Sequence, residues 1–314
     1  MTYRELLKYG ESRLRQANIE DYRTDAWLLL EFLTGLDRSR FFLQESEIAG
    51  GDLAGNYREL VEKRADHVPV QQITGRAWFF GYCFHVTEDV LIPRQDTEVL
   101  VEEALKRAES LLASDNRPSF QNLKRGEGLS RNKETGALRI LDLCTGSGCV
   151  LLTILKELKE KGIPVRGTGL DLSQAALKAA LDNRQGLGLT EADAELMQSD
   201  LFSQVRRDDH FDLITANPPY IRTQVIEELA PEVKDHEPRV ALDGGREGLD
   251  LLEKIAEQAP RFLKPDGWLL MEMGYDQGQA MDACLKRLGY KEVSVIKDLA
   301  GNDRVIAGRK GIDG

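Results

Sequence analysis

The sequence is poor in cysteine and histidine, and it contains no long apolar run. Its four cysteines have no paired CxxC spacing, so we predict free thiols in a reducing, cytoplasmic compartment: Cys83, Cys144, Cys149 and Cys284. Its four histidines are scattered, so no metal site is predicted. No apolar run reaches the ~18 residues that a membrane span needs. The N-terminus also lacks the basic-then-apolar pattern of a signal peptide.

Positive charge is also in short supply. The 314 residues contain 42 Lys and Arg against 53 Asp and Glu, which gives a net charge of −11. A protein that grips nucleic acid by its phosphates usually needs a basic face, so the composition disfavours direct nucleic-acid binding. Charged residues at 30% and hydrophobic residues at 41% are typical of a globular protein, and the length favours two domains.

The chain divides into segments of different character. Apolar residues recur at helical spacing through residues 1–68, which predicts a small all-helical domain for packing or partner recognition. Residues 69–93 contain an aromatic, β-prone run around Gly81, which predicts a β-hairpin linker. Residues 94–314 form a second domain, and within it residues 114–137 are polar and predict a mobile surface insertion.

From residue 138 onward, strand and helix patterns alternate. We predict strands at residues 138–143, 165–170, 194–198, 211–216, 267–272, 291–297 and 303–308. Such alternation is typical of an α/β fold, an open and largely parallel sheet with helices on both faces. The last two strands are too close for a helical crossover and should pair antiparallel. A parallel sheet that ends in such a hairpin resembles the Rossmann-like, seven-stranded class I methyltransferase fold.

A glycine-containing loop follows the first strand of this sheet and leads into a helix. In open α/β sheets the ligand lies beyond the carboxyl ends of the strands, so a dinucleotide and S-adenosylmethionine are both possible ligands. The third glycine of a dinucleotide fingerprint is absent, with Leu151 or Leu152 in that region, and the acidic Asp142 suits a sulfonium and repels pyrophosphate. We therefore predict S-adenosylmethionine, bound by Cys144, Thr145, Gly146, Ser147 and Gly148.

Two further strand ends have residues suited to this cofactor. Asp171 ends the second strand, where it either binds ribose hydroxyls or shares a helix N-cap role with Ser173. After the third strand, Asp200 either accepts the adenine amino group or caps the turn, and Leu201 is placed to pack on the adenine ring.

The motif Asn217-Pro218-Pro219-Tyr220 follows the fourth strand. Alone it predicts a turn, but its position beside the cofactor loop favours binding of the methyl acceptor. An amide nitrogen is a poor nucleophile, and acceptors on both of its N–H bonds would orient its lone pair. The Asn217 side-chain oxygen and the Pro218 carbonyl are predicted to be these acceptors, stiffened by Pro219, while Tyr220 offers a flat face.

With these motifs in place, the sequence resembles the HemK/PrmC family, protein-(glutamine-N5) methyltransferases that act on peptide chain release factors. The similarity spans nearly the whole chain. The proline motif is shared with adenine-N6 DNA and RNA methyltransferases. The other matching segments are residues 69–75, 90–94, 237–239, 241–245, 248–250, 299–301 and 303–305, of which the linker segments and the Asp-Gly-Gly segment at 243–245 are far more specific.

The resemblance implies a helical domain that helps bind the release factor, a glutamine target in a Gly-Gly-Gln motif, and a monomer. It places the cofactor loop on residues 144–148, the ribose acid on Asp171 and the adenine wall near Leu201. Asn217 is implied to touch both cofactor and substrate. The chain departs from the family by having Gln95-Asp96 where Pro-Glu is usual, Cys144 where glycine is common, and a longer segment at 114–137.

Three other functions remain open at this point. They are methylation of a ribosomal-protein glutamine, adenine-N6 methylation of nucleic acid, and a catalytically silent module that binds a release factor. The acidic composition disfavours the second, and the intact loop and proline motif weigh against the third.

Overall fold

The computed structural model describes residues 1–114 and 136–311. The predicted insertion at 114–137 lies, apart from its ends, outside these residues. Within the described ranges, no helix has both the length and the apolar character required to cross a bilayer.

The N-terminal region is helical, as predicted. Its helices are α1 (Tyr3–Gln16), α2 (Tyr22–Thr34), α3 (Arg38–Gln44), α4 (Gly51–Ala65) and α5 (Val70–Thr74). Helix α1 begins at a capping box, in which the Thr2 hydroxyl accepts the Glu5 N–H and the Glu5 carboxylate accepts the Thr2 N–H. Leucines of α1 and α2 pack around Tyr57 of α4, whose hydroxyl donates to the Ala26 carbonyl at 3.0 Å.

A β-hairpin follows, formed by β1 (Arg76–Phe79) and β2 (Tyr82–His85). Both residues of its turn, Phe80 and Gly81, have positive φ, which is typical of the turns that suit the twist of a hairpin. The hairpin confirms the predicted linker structure, although it is shorter than residues 69–93 because α5 occupies 70–74. Phe79 and Phe84 are buried in the core of the α/β domain, so the hairpin packs firmly against that domain.

The central sheet has seven strands in the order β5-β4-β3-β6-β7-β9-β8. Its strands are β3 (Leu138–Leu143), β4 (Val165–Asp171), β5 (Ala194–Gln198), β6 (Phe211–Ala216), β7 (Leu263–Glu272), β8 (Lys291–Lys297) and β9 (Asp303–Arg309). The first five are parallel, and β9 runs antiparallel to both β7 and β8. The predicted fold is confirmed, with β7 beginning four residues earlier than the pattern indicated.

Helices cover both faces of the sheet. They are α6 (Glu98–Ser114), α7 (Cys149–Glu160), α8 (Gln174–Gly186), α9 (Pro231–Lys234), α10 (Asp250–Gln258) and α11 (Gly278–Arg287). Helices α6 and α7 pack on the face that presents Ile140 and Leu213, whereas α10 and α11 pack on the face that presents Leu141 and Ile214. Neighbouring strand residues thus enter different cores, as expected for a sheet buried on both sides.

The helical region is joined to the α/β domain by polar contacts as well as by the chain. Arg64 of α4 is buried between Asp25, at 2.6 Å, and Glu232 of α9, at 3.0 Å. His67 lies 3.3 Å from the same Glu232 carboxylate, and the Gln72 side chain donates to the His236 carbonyl at 2.8 Å. Residues 231–236 of the α/β domain are therefore held by side chains of the helical region.

Candidate active site

Polar side chains mark the carboxyl ends of five neighbouring parallel strands. They are Asp142 on β3, Asp171 on β4, Ser199 after β5, Asn217 after β6 and Glu272 on β7. Because parallel strands end at the same edge, these groups surround one region, where a cavity of about 320 Å³ opens. The predicted residues that line the cavity are Cys144, Thr145, Gly146, Ser147, Asp171, Asp200, Leu201, Asn217 and Pro219.

The loop between β3 and α7 has an unusual backbone. Cys144, Gly146 and Gly148 all have positive φ, at 55°, 55° and 78°. This conformation explains why glycine is usual at position 144, and the cysteine adopts it here at some cost in strain. A side chain on Gly146 would meet no protein atom within 4 Å, so its bare backbone faces the cavity. The predicted Gly148 does not line the cavity: it is the N-cap of α7, and a Cβ on it would lie 2.8 Å from the Leu152 side chain.

Asp142 supports this loop from beneath. Its carboxylate accepts hydrogen bonds from the Thr145 hydroxyl at 2.6 Å and the Thr215 hydroxyl at 2.7 Å. Burial raises the pKa of Asp142 to about 7, while the two hydroxyls act in the opposite direction. Asp142 therefore stabilises the loop through two threonines. The sequence analysis had assigned it only a charge and not this structural role.

Asp171 joins the loop to the next strand. One carboxylate oxygen accepts the Gly146 N–H at 2.8 Å, and the other accepts the Ser173 N–H at 2.8 Å. The N-cap of α8 is Ser173, whose hydroxyl accepts the Ala176 N–H. Helix capping is thus assigned to Ser173, and the Asp171 carboxylate lines the cavity. Burial raises the pKa of Asp171, and its backbone hydrogen bonds lower it.

Asp200 and Leu201 lie in the turn after β5. Ser199 stabilises this turn, since its hydroxyl donates to the Leu201 carbonyl at 2.6 Å and accepts the Gln204 N–H at 3.2 Å. The Asp200 side chain is exposed, lies 3.6 Å from Lys254 and lines the cavity. Leu201 is buried, with a positive φ of 48°, and also lines the cavity.

The proline motif is only partly at the cavity surface. Asn217 and Pro219 line the cavity, while Pro218 and Tyr220 lie behind them. The Tyr220 ring packs against the apolar core, and its hydroxyl donates to the buried Glu272 carboxylate at 3.0 Å. Both burial and this carboxylate raise the pKa of Tyr220. Two roles stay predictions: that the Pro218 carbonyl accepts an N–H of the substrate amide, and that the Tyr220 ring offers a flat face to it.

The glycine segment after position 243 packs directly on this motif. Ile221 forms a parallel bridge with Asp243: its N–H donates to the Leu242 carbonyl at 3.0 Å, and its carbonyl accepts the Gly244 N–H at 2.8 Å. A Cβ on Gly244 would lie 2.6 Å from the Tyr220 Cα, and one on Gly248 would lie 2.3 Å from the Tyr220 carbonyl oxygen. The glycines are therefore needed for close backbone approach, which holds the motif against the cavity.

Several residues at the cavity had no predicted role. Arg94 and Thr97, from the end of the linker and the turn before α6, both line it. Arg94 pairs with the buried Glu237 at 2.5 Å, and the next residue, Pro238, also lines the cavity. Asp96 pairs with Arg304 of β9 at 3.1 Å, so the departure at this position keeps a carboxylate. The match of residues 90–94 to the family pattern could have indicated these residues. Their spacing in the sequence, however, did not place them at the cavity.

The cavity is lined by a tight loop and by four acidic residues, Asp89, Asp142, Asp171 and Asp200. This donor set suits a cationic ligand that has hydroxyl groups. Four carboxylates oppose a pyrophosphate, and the arginine of the lining, Arg94, is already paired with Glu237.

Comparisons with known proteins agree with this geometry. Residues 5–75 match the PrmC N-terminal domain, and residues 134–298 match a methyltransferase domain. A release factor glutamine methyltransferase of Caulobacter vibrioides is 36% identical over 301 residues, covering 96% of this chain and 94% of that protein. One of Geobacter sulfurreducens is 35% identical over 310 residues, covering 99% and 97%. One of Clostridium acetobutylicum is 34% identical over 315 residues, covering 99% of each.

Proposed function

The chain belongs to the release factor glutamine methyltransferase family, and from that premise we propose which of its residues perform the reaction and on what substrate. The proposed substrate is the side-chain amide nitrogen, N5, of the glutamine in the Gly-Gly-Gln motif of a peptide chain release factor. The observation that carries the proposal is that Asn217 and Asp171 line a single cavity at the carboxyl edge of the sheet.

The cofactor of the family is S-adenosylmethionine, and when bound it supplies a methyl group attached to a cationic sulfonium. Asp171 is proposed to bind the ribose hydroxyls, since each of its oxygens has a further lone pair beyond the two backbone bonds. Leu201 forms an apolar wall for the adenine ring, and Asp200 accepts from the adenine amino group. The loop of Cys144, Thr145, Gly146 and Ser147 gives the close backbone approach, and Gly148 is the N-cap of the helix that follows.

Asn217 acts on the acceptor nitrogen. Its side-chain oxygen accepts one N–H of the target amide, and the Pro218 carbonyl is proposed to accept the other. Held this way, the nitrogen lone pair points towards the methyl group, and positioning supplies much of the rate. A strong base is not required before transfer, because the nitrogen proton becomes acidic only once the nitrogen has gained positive character. Pro219 stiffens the motif, and Tyr220 anchors it to Glu272.

The remaining assignments concern the whole chain. We propose that residues 1–68 recognise the release factor, that 69–93 link the domains, and that 94–314 carry out catalysis. The proposed partner is a protein and not nucleic acid, which the net charge of −11 supports. The same proposal implies a monomer in the cytoplasm, where its free cysteines stay reduced.

The test is transfer of label from methyl-labelled S-adenosylmethionine to purified release factor, ribosomal proteins or DNA, followed by mass spectrometry of the product. We expect label on the Gly-Gly-Gln glutamine. A release factor in which that glutamine is replaced by asparagine is the matched control and should stay unlabelled. Label on a ribosomal protein or on adenine, with none on release factor, would overturn the proposed substrate.

A further inference from the structure

The side chain of Gln277 connects the segment after β7 to the proline motif. Its carboxamide oxygen accepts the Gly274 N–H at 2.8 Å, and its Nε2 donates to the Tyr220 carbonyl at 2.9 Å and to the Gly248 carbonyl at 3.1 Å. Gln277 is 4% exposed. The oxygen and both N–H bonds of this buried amide therefore have partners, all of them in the backbone.

The types of these partners fix the orientation of the amide. A backbone N–H only donates and a carbonyl only accepts, so the Gln277 oxygen must face Gly274 and the NH₂ group must face the two carbonyls. The Gln277 N–H also donates to the Gly274 carbonyl at 3.0 Å, in the turn that leads into α11. Because Gln277 is held at Gly274 through both its backbone and its side chain, its NH₂ group lies at a fixed point.

Two backbone segments of the site meet at this NH₂ group. Tyr220 ends the proline motif, and Gly248 belongs to the glycine segment that packs on it. A Cβ on Gly248 would lie 2.3 Å from the Tyr220 carbonyl oxygen and 2.7 Å from Nε2 of Gln277. Both carbonyls thus use the same nitrogen, and an amide NH₂ has one hydrogen for each of them.

The Tyr220 carbonyl is closely tied to the two acceptors proposed for the substrate amide. The rings of Pro218 and Pro219 fix φ at two successive residues, so few free torsions separate this carbonyl from the Pro218 carbonyl and from Asn217. The Tyr220 hydroxyl is held separately, by Glu272 at 3.0 Å. A displacement of the Tyr220 carbonyl would therefore be passed along the motif to the acceptors.

We propose that Gln277 is a positioning residue for methyl transfer, which holds the Tyr220 carbonyl and so sets where the Asn217 oxygen and the Pro218 carbonyl meet the target amide. Gln277 does not line the cavity, so it acts through the motif and not on the substrate. The inference rests on the proposed function of Asn217 and Pro218.

The test compares Gln277→Met and Gln277→Glu in the full chain, using release factor and labelled S-adenosylmethionine. Methionine keeps the length of the side chain and removes all three bonds. Glutamate keeps the oxygen for Gly274 but has at most one O–H for the two carbonyls. We expect both variants to lower kcat by about tenfold or more, since the acceptors are displaced from the reacting nitrogen.

The cofactor affinity separates positioning from a general loss of structure. Calorimetric titration gives the cofactor Kd and the fraction of chains that bind cofactor, and kcat is expressed per binding site so that unfolded protein does not count. The Kd should stay within about threefold of the wild type, because the groups assigned to the cofactor lie in other loops. The matched control is Gln279→Glu, an exposed position two residues later, which should keep kcat within about twofold.

A double-mutant comparison tests whether Gln277 acts through the motif. Asn217→Ala already lacks one of the acceptors that Gln277 is proposed to place, so adding Gln277→Met should lower kcat less than it does in the wild type. Equal losses in both backgrounds, a wild-type kcat per site in either Gln277 variant, or a loss of cofactor affinity as large as the loss of kcat would each overturn the inference. Failure of the wild-type chain to methylate release factor at all would instead overturn the proposed function.

Discussion

The Asp171 carboxylate accepts the backbone N–H of Gly146 at 2.8 Å, joining the end of β4 to the loop after β3. The same side chain lines the cavity. Asp171 thus holds the loop in shape and faces the space assigned to the cofactor, and a change at this residue should affect both.

We therefore expect Asp171→Asn to weaken S-adenosylmethionine binding by roughly tenfold to a hundredfold, as a charged acceptor becomes neutral and loses one backbone partner. Turnover at saturating cofactor should change much less, because these bonds are equally present in the ground and transition states. Calorimetric titration measures the affinity. Asp193→Asn, which removes a carboxylate from a turn outside the cavity lining, is the control, and unchanged affinity in Asp171→Asn would contradict the assignment.

Asn217→Ala removes one acceptor at the reacting nitrogen. By analogy with the loss of one preorganised group at a reacting centre, it should cost about 2.7–4 kcal/mol, or roughly 100- to 1,000-fold in turnover. Asn217→Asp should bind cofactor at least as well as the wild type, because it adds negative charge near a cation, yet transfer the methyl group more slowly. Single-turnover assays on release factor measure the rate of methyl transfer in both variants. Near-normal turnover in Asn217→Ala would contradict the catalytic role and leave the motif as an ordinary turn.

The Gly244 position gives a steric prediction. Gly244→Ala places a methyl group 2.6 Å from the Tyr220 Cα and 2.8 Å from the Pro219 carbonyl oxygen, both of which are backbone. We expect a loss of stability of about 1–3 kcal/mol from overpacking and at least a tenfold fall in turnover as the motif shifts. Gly55→Ala, where an added methyl group meets nothing within 4 Å, is the control and should keep full turnover. Urea unfolding and transfer assays on both variants decide the matter.

The contact between the helical region and α9 predicts that this region affects catalysis without touching the cofactor. Glu232→Gln weakens the pairs with Arg64 and His67 and should loosen residues 231–241, of which Pro238, Val240 and Ala241 line the cavity. We expect roughly a threefold to tenfold fall in turnover on whole release factor and on a short Gly-Gly-Gln peptide alike.

The matched control is Glu228→Gln, which removes an exposed carboxylate from the 3-10 turn Ile226–Glu228, just before this segment, and should change little. A loss confined to whole release factor would mean that the helical region only docks the substrate and does not hold the cavity wall.

Asp142 predicts a pH dependence of stability. Its pKa in the folded chain is about 7, above the usual value of 3.8, so the folded state binds the proton more tightly than the unfolded state. Its contribution to stability therefore falls as pH rises from about 4 to about 7. Asp142→Asn removes this dependence, and its stability relative to the wild type should rise by roughly 3 kcal/mol between pH 4.5 and pH 8. Urea unfolding at the two pH values measures the difference, and a constant difference would contradict the raised pKa.

Much of the fold was predictable because the pattern of strands and helices is regular. The strands at 138–143, 194–198, 211–216 and 291–297 have the predicted bounds, since each is a compact run of β-formers between turn residues. The start of β7 was missed because residues 263–266 include Lys264, Pro265 and Asp266, which disfavour a strand on propensity alone.

The cavity was less predictable than the fold. The site residues that follow strands could be predicted because the carboxyl ends of all parallel strands lie at one edge of the sheet. This rule can be applied from the sequence without knowing any distance. Arg94 and Thr97 reach the cavity from the end of the linker and the turn before α6, and Pro238 reaches it from a long loop; no periodic pattern fixes the position of these segments. The burial of Tyr220 could not be read from the sequence either, because it depends on its pairing with Glu272, 52 residues later.

Asn183 of α8 has consequences beyond its own helix. Its side chain accepts the His85 N–H at 2.6 Å and donates to the carbonyls of His85 and Ser147, each at 2.9 Å. One buried amide thus links the hairpin to the cavity loop through hydrogen bonds. A ligand that reduces the motion of this loop should therefore also stabilise β2 and, through the chain, the helices that precede it. Amide hydrogen exchange should accordingly slow in the hairpin when ligand is added, well away from any atom that the ligand contacts.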